Sequence, residues 1–360
     1  KCTLAQVPVH GVAFRRFRRT INPFVLAGQI YAIHRTSQQI CALCREKRFH
    51  ILHANTDTAA VVAWETSRIT GIPFVWHCRD IRPMHGFARV LSGAASAVVA
   101  ISDAVEKHLL KEGVKLEKIK RINNGIDLSR MSASEDRVVT YLQYNEGRRD
   151  ACDTHVAARL RARAKLGIAD TRAVILSVGA FVPWKKHELF IETIDRLRQR
   201  IPTILGLLVG SDKMNENRDY EDALCNFATD LGLLKSDTLR LLGERDDVPE
   251  LMAAADLLIS CSENEPFGRV LAEAGAAGLP VVSTRSGGKT EIVVDEVTGV
   301  LTRQDDTPAL VEACTRLLND ANQRQTLGEQ ARKRVETLYD VRRTANELAA
   351  LFKMIAMSKN

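Results

Sequence analysis

Two glutamates, Glu265 and Glu273, flank the predicted start of a helix, where their side chains can accept hydrogen bonds from a polar ligand. The mainly apolar run 255–260 before them predicts a buried strand, and Pro266 and Gly268 then turn the chain into a helix with the proline in its first turn. Glu273 lies about two turns along that helix, so roughly 10 Å of helical rise separates it from Glu265. Carboxylates at this separation suit a ligand that carries hydroxyl groups at both ends.

The start of the same helix is a predicted anion site. The N–H groups of Phe267, Gly268 and Arg269 have no partner within a helix that begins there, and they lie at the positive end of its dipole. A phosphate fits such a helix start, and a nucleotide sugar carries phosphates between two hydroxyl-bearing ends. The glutamate spacing alone is also common on solvated helices, but the strand, turn and helix around it favour a binding site.

The stretch 265–273 resembles the Glu-x7-Glu motif of the retaining glycosyltransferases of family 4. The similarity continues through 273–282 and 287–291, includes 253–256 upstream, and is strongest between residues 240 and 302. The resemblance implies the α/β GT-B fold, in which two Rossmann-like, doubly wound domains face each other across a cleft and the second domain binds the nucleotide sugar. It also implies transfer of a hexose with retention of configuration.

The length of 360 residues and the alternation of short apolar runs with amphipathic segments predict two domains built from β–α units. We expect an acceptor-side domain over 1–168 with a linker or insertion at 129–156, a nucleotide-sugar-binding domain over 169–338, and a terminal helix over 339–360 that crosses back to the first domain. Strands are predicted at 49–54, 74–77, 97–101, 119–122, 173–179, 204–210, 238–242, 257–260 and 280–284. Because the similarity begins past the family's first strand and glycine-rich loop, we expect the first domain to lack its first β–α unit.

The loop after the first strand of the second half resembles the family loop that supplies an arginine and a lysine to the diphosphate. Gly179 begins this loop, Lys185 occupies the lysine position, and Ala180 stands where the arginine is expected. When the sugar leaves the diphosphate, negative charge develops on the leaving group, and cations and N–H dipoles lower the barrier. The resemblance therefore implies a role for Lys185 and leaves the role of the arginine to another cation.

Three cations are candidates for that role. Arg269 is the first because it lies at the predicted helix start beside the expected phosphates, and Lys186 and Lys289 are the alternatives. The resemblance further implies that Glu265 accepts hydrogen bonds from the donor sugar and that Glu273 accepts them from the ribose. Neither glutamate is expected to be a nucleophile, since the resemblance implies front-face attack in which the leaving phosphate helps to take the acceptor proton.

His77 and Arg79 are the candidate site residues of the first half. They lie at the end of a predicted strand, and in open α/β sheets the loops at the carboxyl ends of strands carry ligand sites. The resemblance implies a sugar-contacting histidine near this loop, and in the alignment Arg79 rather than His77 occupies its place. A surface turn that binds no ligand is the alternative.

Basic residues are concentrated in the first half. The whole chain has a net charge of +7, but residues 1–168 hold 27 Lys and Arg against 14 Asp and Glu, whereas the remainder holds 24 against 30. This asymmetry favours an acidic acceptor or an anionic membrane surface as a partner, and the run 14–19, which interleaves arginines with phenylalanines, could touch lipid headgroups. A basic, solvated face is the alternative, and no part of the chain resembles a nucleic-acid-binding module.

The eight cysteines do not show the paired spacing of a zinc site. Cys41 and Cys44 form a single Cys-x-x-Cys pair within a helical pattern and are predicted to be packed thiols. No metal-ligand set is visible and the resemblance implies none, so we expect no metal or cofactor beyond the donor substrate. Reduced cysteines, no secretory signal and no apolar run near 18 residues predict a cytoplasmic location, with a peripheral position at the inner membrane face as an option.

Two other functions fit parts of the sequence. A non-catalytic nucleotide-sugar-binding protein is compatible with Ala180 and with the expected lack of the first β–α unit. A sugar-nucleotide epimerase could share the architecture. It should carry catalytic acids in its cleft, and the glutamate motif argues against it.

Overall fold

The computed structural model describes residues 8, 10–12, 22–131, 150–212 and 217–358 of the chain. Contacts divide the chain into two units, of which the first comprises 1–123 with 345–360 and the second comprises 124–344. The basic run 14–19 lies outside the described residues, and so do residues 132–149 of the predicted linker. Both units are α/β with parallel sheets, as the sequence predicts.

The first unit contains a four-stranded parallel sheet with helices between the strands. Its elements are α1 (Pro23–Lys47), β1 (Leu52–Ala54), α2 (Asp57–Thr70), β2 (Phe74–Cys78), α3 (Phe87–Ala94), β3 (Ala97–Ala100), α4 (Asp103–Lys111), a 3-10 turn (Leu116–Lys118) and β4 (Ile119–Arg121). The described strands pair in the order β1-β2-β3-β4, and every pair is parallel. All four predicted strands of this half are present, three of them with shorter bounds.

Local sequence explains several details of the first unit. The Ser102 hydroxyl accepts a hydrogen bond from the Val105 N–H at 3.1 Å and so caps α4. Gly71 ends α2 in the left-handed conformation, with φ 72°. Cys41 and Cys44 are free, buried thiols of α1, as predicted.

Among the helices of the described ranges, none is both long enough and apolar enough to cross a membrane.

The second unit contains a six-stranded parallel sheet. Its elements are α5 (Leu128–Met131), α6 (Asp150–Lys165), β5 (Ala173–Val178), a 3-10 turn (Pro183–Lys185), α7 (His187–Leu197), β6 (Ile204–Val209), α8 (Arg218–Asp230), β7 (Leu239–Leu241), α9 (Val248–Ala254), β8 (Leu257–Ser260), α10 (Arg269–Ala277), β9 (Val281–Thr284), α11 (Lys289–Ile292), β10 (Val300–Thr302), α12 (Thr307–Asn319), α13 (Ala321–Leu338) and the first residues of α14 (Val341–Met357). The five predicted strands are confirmed, and β10 is an additional strand that the sequence did not predict.

The strand order of the second sheet reverses at β5. The order is β10-β9-β8-β5-β6-β7, so the chain runs from β5 outward to β7 on one side and returns to β8 on the other. Where the strand order reverses, the loops after two neighbouring strands lead away in opposite directions, which leaves a crevice at the carboxyl edge of the sheet. α/β proteins bind ligands in such crevices. The loops that follow Val178 and Ser260 therefore lie side by side at this edge.

The boundary between the units falls after Asn123, whereas the sequence places it at 168. Residues 150–165 belong to the second unit because α6 packs against α9 and because the buried Arg163 guanidinium donates to the Asp256 carboxylate at 2.9 Å.

The last helix belongs mainly to the first unit. From Ala345 onward α14 is part of that unit. Its residues Leu351 and Ile355 are buried in one cluster with Val75 of β2 and Val99 of β3. The first unit therefore takes part of its apolar core from the far end of the sequence.

Candidate functional site

The loops after β5 and β8 meet at the carboxyl edge of the second sheet and bring Lys185 to Glu265. The Lys185 ammonium donates to Glu265 Oε2 at 2.7 Å, and the Ser262 hydroxyl donates to the same oxygen at 3.0 Å. The Glu263 N–H also donates to the Trp184 carbonyl at 2.8 Å, which joins the two loops through the backbone. Lys185 and Glu265 keep 19% and 11% of their side-chain surface exposed, so a ligand can reach the pair.

Two glycines lie where the β5 loop passes close to its neighbours. The Gly179 N–H donates to the Val209 carbonyl at 2.9 Å, and a Cβ on Gly179 would lie 3.4 Å from both His187 and Lys185. A Cβ on Gly210 would lie 1.8 Å from the Gly179 carbonyl oxygen. The close approach of the two loops therefore requires the glycine at 210, whereas a Cβ at 179 would meet its neighbours at an ordinary contact distance.

Ala180 offers no cation, and its carbonyl serves a structural purpose instead. His187 Nε2 donates to this carbonyl at 3.0 Å. Burial lowers the pKa of His187 to about 4; the hydrogen bond to Ala180 opposes this shift, and the charge of Lys185 adds to it. The neutral imidazole therefore holds the Ala180 loop in place at physiological pH.

The helix α10 begins at Arg269, three residues after Pro266, which corrects the prediction that the proline lies in the first turn. Gly268 is the N-cap and adopts φ 94°, a conformation that removes Pro266 from the helical path. The Leu271 and Ala272 N–H groups donate to the Gly268 carbonyl. The preceding N–H groups have no acceptor within the helix, and Gly268 has no side chain to cap them, so an anion can bind there.

The second glutamate of the motif has a different environment from the first. Glu273 is partly buried in α10, and its Oε1 lies 4.0 Å from Arg269 Nε. Burial raises the pKa of Glu273, while Arg269 and Arg130 oppose this shift. The side chain of Arg269 is exposed at the first turn of the helix. Within the described part of the chain, only this long contact with Glu273 holds the Arg269 side chain, so the guanidinium can turn toward an anion at the helix start.

The side chain of Phe267 is part of the core. It is buried and packs edge-to-face on Tyr339 with 5.5 Å between ring centroids. Only the backbone of Phe267 can therefore reach a ligand.

Gly287 and Gly288 pack against the Glu265 turn, a role that the sequence did not reveal. The Gly288 N–H donates to the Glu265 carbonyl at 2.7 Å. A Cβ on Gly287 would lie 2.2 Å from the Glu265 carbonyl oxygen, and a Cβ on Gly288 would lie 2.7 Å from that of Pro266. Gly287 and Gly288 thus form the surface against which the Glu265 turn packs.

The two alternative cations have other partners. Lys186 Nζ lies 3.3 Å from Glu263 Oε1 and 3.9 Å from Asp305 Oδ1. Lys289 is fully buried. Both are thus less available to a ligand than Arg269, whose side chain is exposed.

In the first unit, His77 lies inside the structure and not on a ligand-binding loop. It belongs to the fully buried β2, and its Nδ1 is 3.1 Å from Nε2 of His53. Burial, with the nearby charges of His53 and Arg79, lowers the pKa of His77 to about 3. Arg79 follows β2 and is only partly buried, so Arg79 is the better placed of the two predicted residues.

Comparisons with known families agree with these two units. Residues 5–130 match the family described as Glycosyltransferase Family 4, and residues 158–334 match the family described as Glycosyl transferases group 1. The chain carries both glycosyltransferase domains. The group 1 domain contains the Lys185 and Glu265 loops, and the family 4 domain contains His77 and Arg79.

Curated relatives of the two glycosyltransferase domains include bacterial enzymes. D-inositol 3-phosphate glycosyltransferase of Salinispora arenicola is 36% identical over 181 residues, which are 49% of this chain and 40% of that protein. The protein of the same name from Salinispora tropica is 27% identical over 337 residues, or 86% of this chain and 64% of that protein. The chain thus spans between 40% and 64% of the length of the first curated relatives that it matches.

Solved structures share the architecture of the two glycosyltransferase domains. Alr3699/HepE of Anabaena in complex with UDP-glucose is 27% identical, with a TM-score of 0.76 over 89% of this chain and 82% of that one. Its complex with UDP and glucose has a TM-score of 0.79 at 26% identity, over 98% and 88% of the two chains. Sucrose-phosphate synthase of Thermosynechococcus elongatus, at 23% identity and a TM-score of 0.70 over 91% and 79%, has the same fold. The chain therefore has the GT-B fold.

Proposed function

We propose that the chain is a retaining, metal-independent glycosyltransferase that moves a sugar from a nucleotide diphosphate sugar, of the UDP or GDP type, to an acceptor. The observation that carries this proposal is the pairing of Lys185 with Glu265 beside the start of α10, at the strand-order reversal of the second sheet. A cation, a carboxylate and outward N–H groups are the set that a sugar diphosphate requires. The UDP type is supported by the complexes of Alr3699/HepE with UDP and UDP-glucose.

In this proposal the diphosphate lies at the start of α10. The backbone N–H groups of Phe267, Gly268 and Arg269 donate to phosphate oxygens, and the exposed Arg269 side chain adds a positive charge. An ammonium has three N–H donors, so Lys185 can keep its bond to Glu265 and still donate to a phosphate. These donors compensate for the alanine at position 180.

The two glutamates then bind the two hydroxyl-bearing parts of the donor. Lys185 and Ser262 hold Oε2 of Glu265, and the other carboxylate oxygen accepts hydrogen bonds from the sugar hydroxyls. Glu273, about two turns into the helix, accepts them from the ribose. The acceptor, a saccharide, a lipid-linked sugar or another hydroxyl compound, is bound by the first unit, where Arg79 is the candidate contact.

The reaction breaks the bond between the anomeric carbon and the diphosphate oxygen, and the electron pair leaves with the nucleoside diphosphate. The acceptor oxygen bonds to the anomeric carbon on the face that the leaving group departs from, and its proton passes to a phosphate oxygen of the leaving group. Lys185, Arg269 and the N–H groups of α10 stabilise the charge as it develops. The proposal needs no protein nucleophile, and both glutamates act by binding.

The test is a panel of UDP-, GDP- and ADP-sugars with the purified chain, in which binding is measured by calorimetry and transfer or donor hydrolysis by chromatography. We expect binding of a UDP- or GDP-sugar, slow donor hydrolysis and faster turnover with an acceptor, with the anomeric configuration retained by NMR. Tight binding without transfer or hydrolysis would refute the enzyme proposal and support a binding protein. Interconversion of the sugar on its nucleotide would support the epimerase.

Lys185→Ala is expected to weaken the binding of UDP about tenfold, because a charge-assisted hydrogen bond to a phosphate is lost. Calorimetry with UDP measures this change. Lys235→Ala is the matched control, since Lys235 is an exposed lysine of the same unit. Equal affinities of the wild type and Lys185→Ala would show that Lys185 does not bind the diphosphate.

We also propose that α1 makes peripheral contact with the cytoplasmic face of a membrane. Phe24 and Tyr31 are 86% and 67% exposed in its first part, and residues 1–45 contain seven Lys and Arg and no Asp or Glu. Exposed aromatic side chains on a basic segment suit the interface of an anionic bilayer.

The double variant Phe24→Ser, Tyr31→Ser is expected to bind anionic vesicles about tenfold more weakly than the wild type in co-sedimentation, because two large apolar side chains no longer enter the interface. Leu116→Ser, which removes an exposed apolar side chain elsewhere in the first unit, is the control. If the wild type and the double variant sedimented with the vesicles to the same extent, the proposed membrane contact would be contradicted.

A further inference from the structure

Lys289 is a lysine without solvent exposure, which is rare because burial of an ammonium is costly. Its Nζ donates to the Ser262 carbonyl at 2.5 Å and to the Thr284 hydroxyl at 2.8 Å. The Ser262 carbonyl also accepts the Ser286 hydroxyl at 2.8 Å. The ammonium therefore ties the ends of β8 and β9 together, directly behind the turn that presents Glu265.

The stem of Lys289 passes beneath the start of α10. A Cβ on Gly268, the N-cap of α10, would lie 3.5 Å from Lys289 Cγ. On the front of the same turn are Glu265 and the helix N–H groups that we propose as the diphosphate site. The buried lysine and the proposed anion site thus contact the same short backbone segment.

The hydrogen-bond acceptors of Lys289 are neutral oxygens and do not cancel its charge. The titratable groups that face it are Cys261, Glu265, Lys185 and Glu263. Burial is the main cause that lowers the pKa of Lys289, to about 8, and Lys185 adds to this shift while the other three groups oppose it. Lys289 is mostly charged at pH 7, and an anion in front of the turn would compensate that charge.

We infer that Lys289 is a positioning residue of the donor site, whose ammonium fixes the turn 262–268 and supplies positive charge from behind it to a bound nucleoside diphosphate. This inference rests on the proposed function. It gives the chain, in which Ala180 replaces the arginine of the family loop, a further source of positive charge without contact between Lys289 and the ligand.

Binding of a diphosphate must then favour the charged form of Lys289. Near pH 8 about half of the free protein has a neutral Lys289, so binding takes up a fraction of a proton, at most about half. For the same reason affinity falls as the pH rises from 7 to 9.5, where Lys289 loses its proton. A residue that only fills space in the core would produce neither effect.

The experiment is calorimetry of UDP binding at pH 8 in two phosphate-free buffers with different ionisation enthalpies, which yields the number of protons taken up. The wild type is expected to take up more protons than Lys289→Met, and at pH 7 the variant should bind UDP about tenfold more weakly. Thr284→Val, which removes one hydrogen bond and keeps the charge, should retain the proton uptake. Lys289→Gln replaces Lys289→Met if the latter does not fold.

Equal proton uptake by the wild type and the Lys289 variant would overturn the inference, and so would a wild-type affinity that stays constant between pH 7 and 9.5. The second measurement needs no variant. A wild type that binds no nucleoside diphosphate would instead refute the proposed donor site, and the inference would fall with it. The two failures are therefore distinguishable.

Discussion

Replacing Glu265 by glutamine is expected to lower kcat for sugar transfer by about 10²-fold or more while the fold stays intact. The amide has the shape of the carboxylate but not its charge, so it holds both Lys185 and the sugar hydroxyls more weakly. The loss of the ion pair costs about 3 kcal/mol of stability, because both side chains are mostly buried and the Lys185 ammonium loses its counter-charge. Steady-state kinetics with the best donor of the panel, together with urea unfolding, measure the two effects.

Glu296→Gln is the control for this experiment. Glu296 lies in the same unit and its carboxylate pairs with Arg316 at 2.6 Å, but it is an exposed pair away from the Lys185 and Glu265 loops. It should change kcat little. A folded Glu265→Gln variant with unchanged kcat would remove Glu265 from the donor site.

Gly287→Ala is expected to abolish measurable UDP binding and to lower the free energy of unfolding of the second unit by about 3 kcal/mol. Gly287 has φ 51°, and a Cβ there would lie 2.2 Å from the Glu265 carbonyl oxygen and 2.8 Å from its nitrogen. Both contacts are with backbone, so the new methyl group can be accommodated only if the turn that carries Glu265 moves. Calorimetry with UDP and denaturant unfolding measure the outcome.

Gly232→Ala separates the strain of the backbone from the contact with the turn. Gly232 has φ 70°, but a Cβ there meets no atom within 4 Å. This variant should lose about 1 kcal/mol, the cost of a left-handed alanine, and bind UDP normally. If both alanines had the same effects, the close contact of Gly287 with Glu265 would have no importance for the site.

The sequence predicts the local part of the site well. The strand, turn and helix around Glu265 follow from an apolar run and from the positions of Pro266 and Gly268, which act over a few residues. The resemblance placed Lys185 in the site. Its contact with Glu265 joins residues 80 positions apart and depends on the pairing of β5 with β8, which no local pattern contains.

The remaining features depend on the three-dimensional surroundings of single residues. The start of α10 at Arg269 follows from the positive φ of Gly268, and a glycine in sequence does not reveal its φ. Lys289 and His77 are polar residue types that usually lie at the surface, and only the packing around them shows that they are buried. The strand β10 has three residues, too few for a periodic pattern.

The return of α14 to the first unit has a consequence for synthesis on the ribosome. Leu351 and Ile355 complete a buried cluster whose other members lie between residues 75 and 122. The second unit is an insertion within the sequence of the first and can fold while the chain is still being made, whereas the first unit must wait for the last helix. Until then its apolar surface stays open to chaperones, so a chain released soon after residue 344 contains the whole second unit and a first unit with an incomplete core.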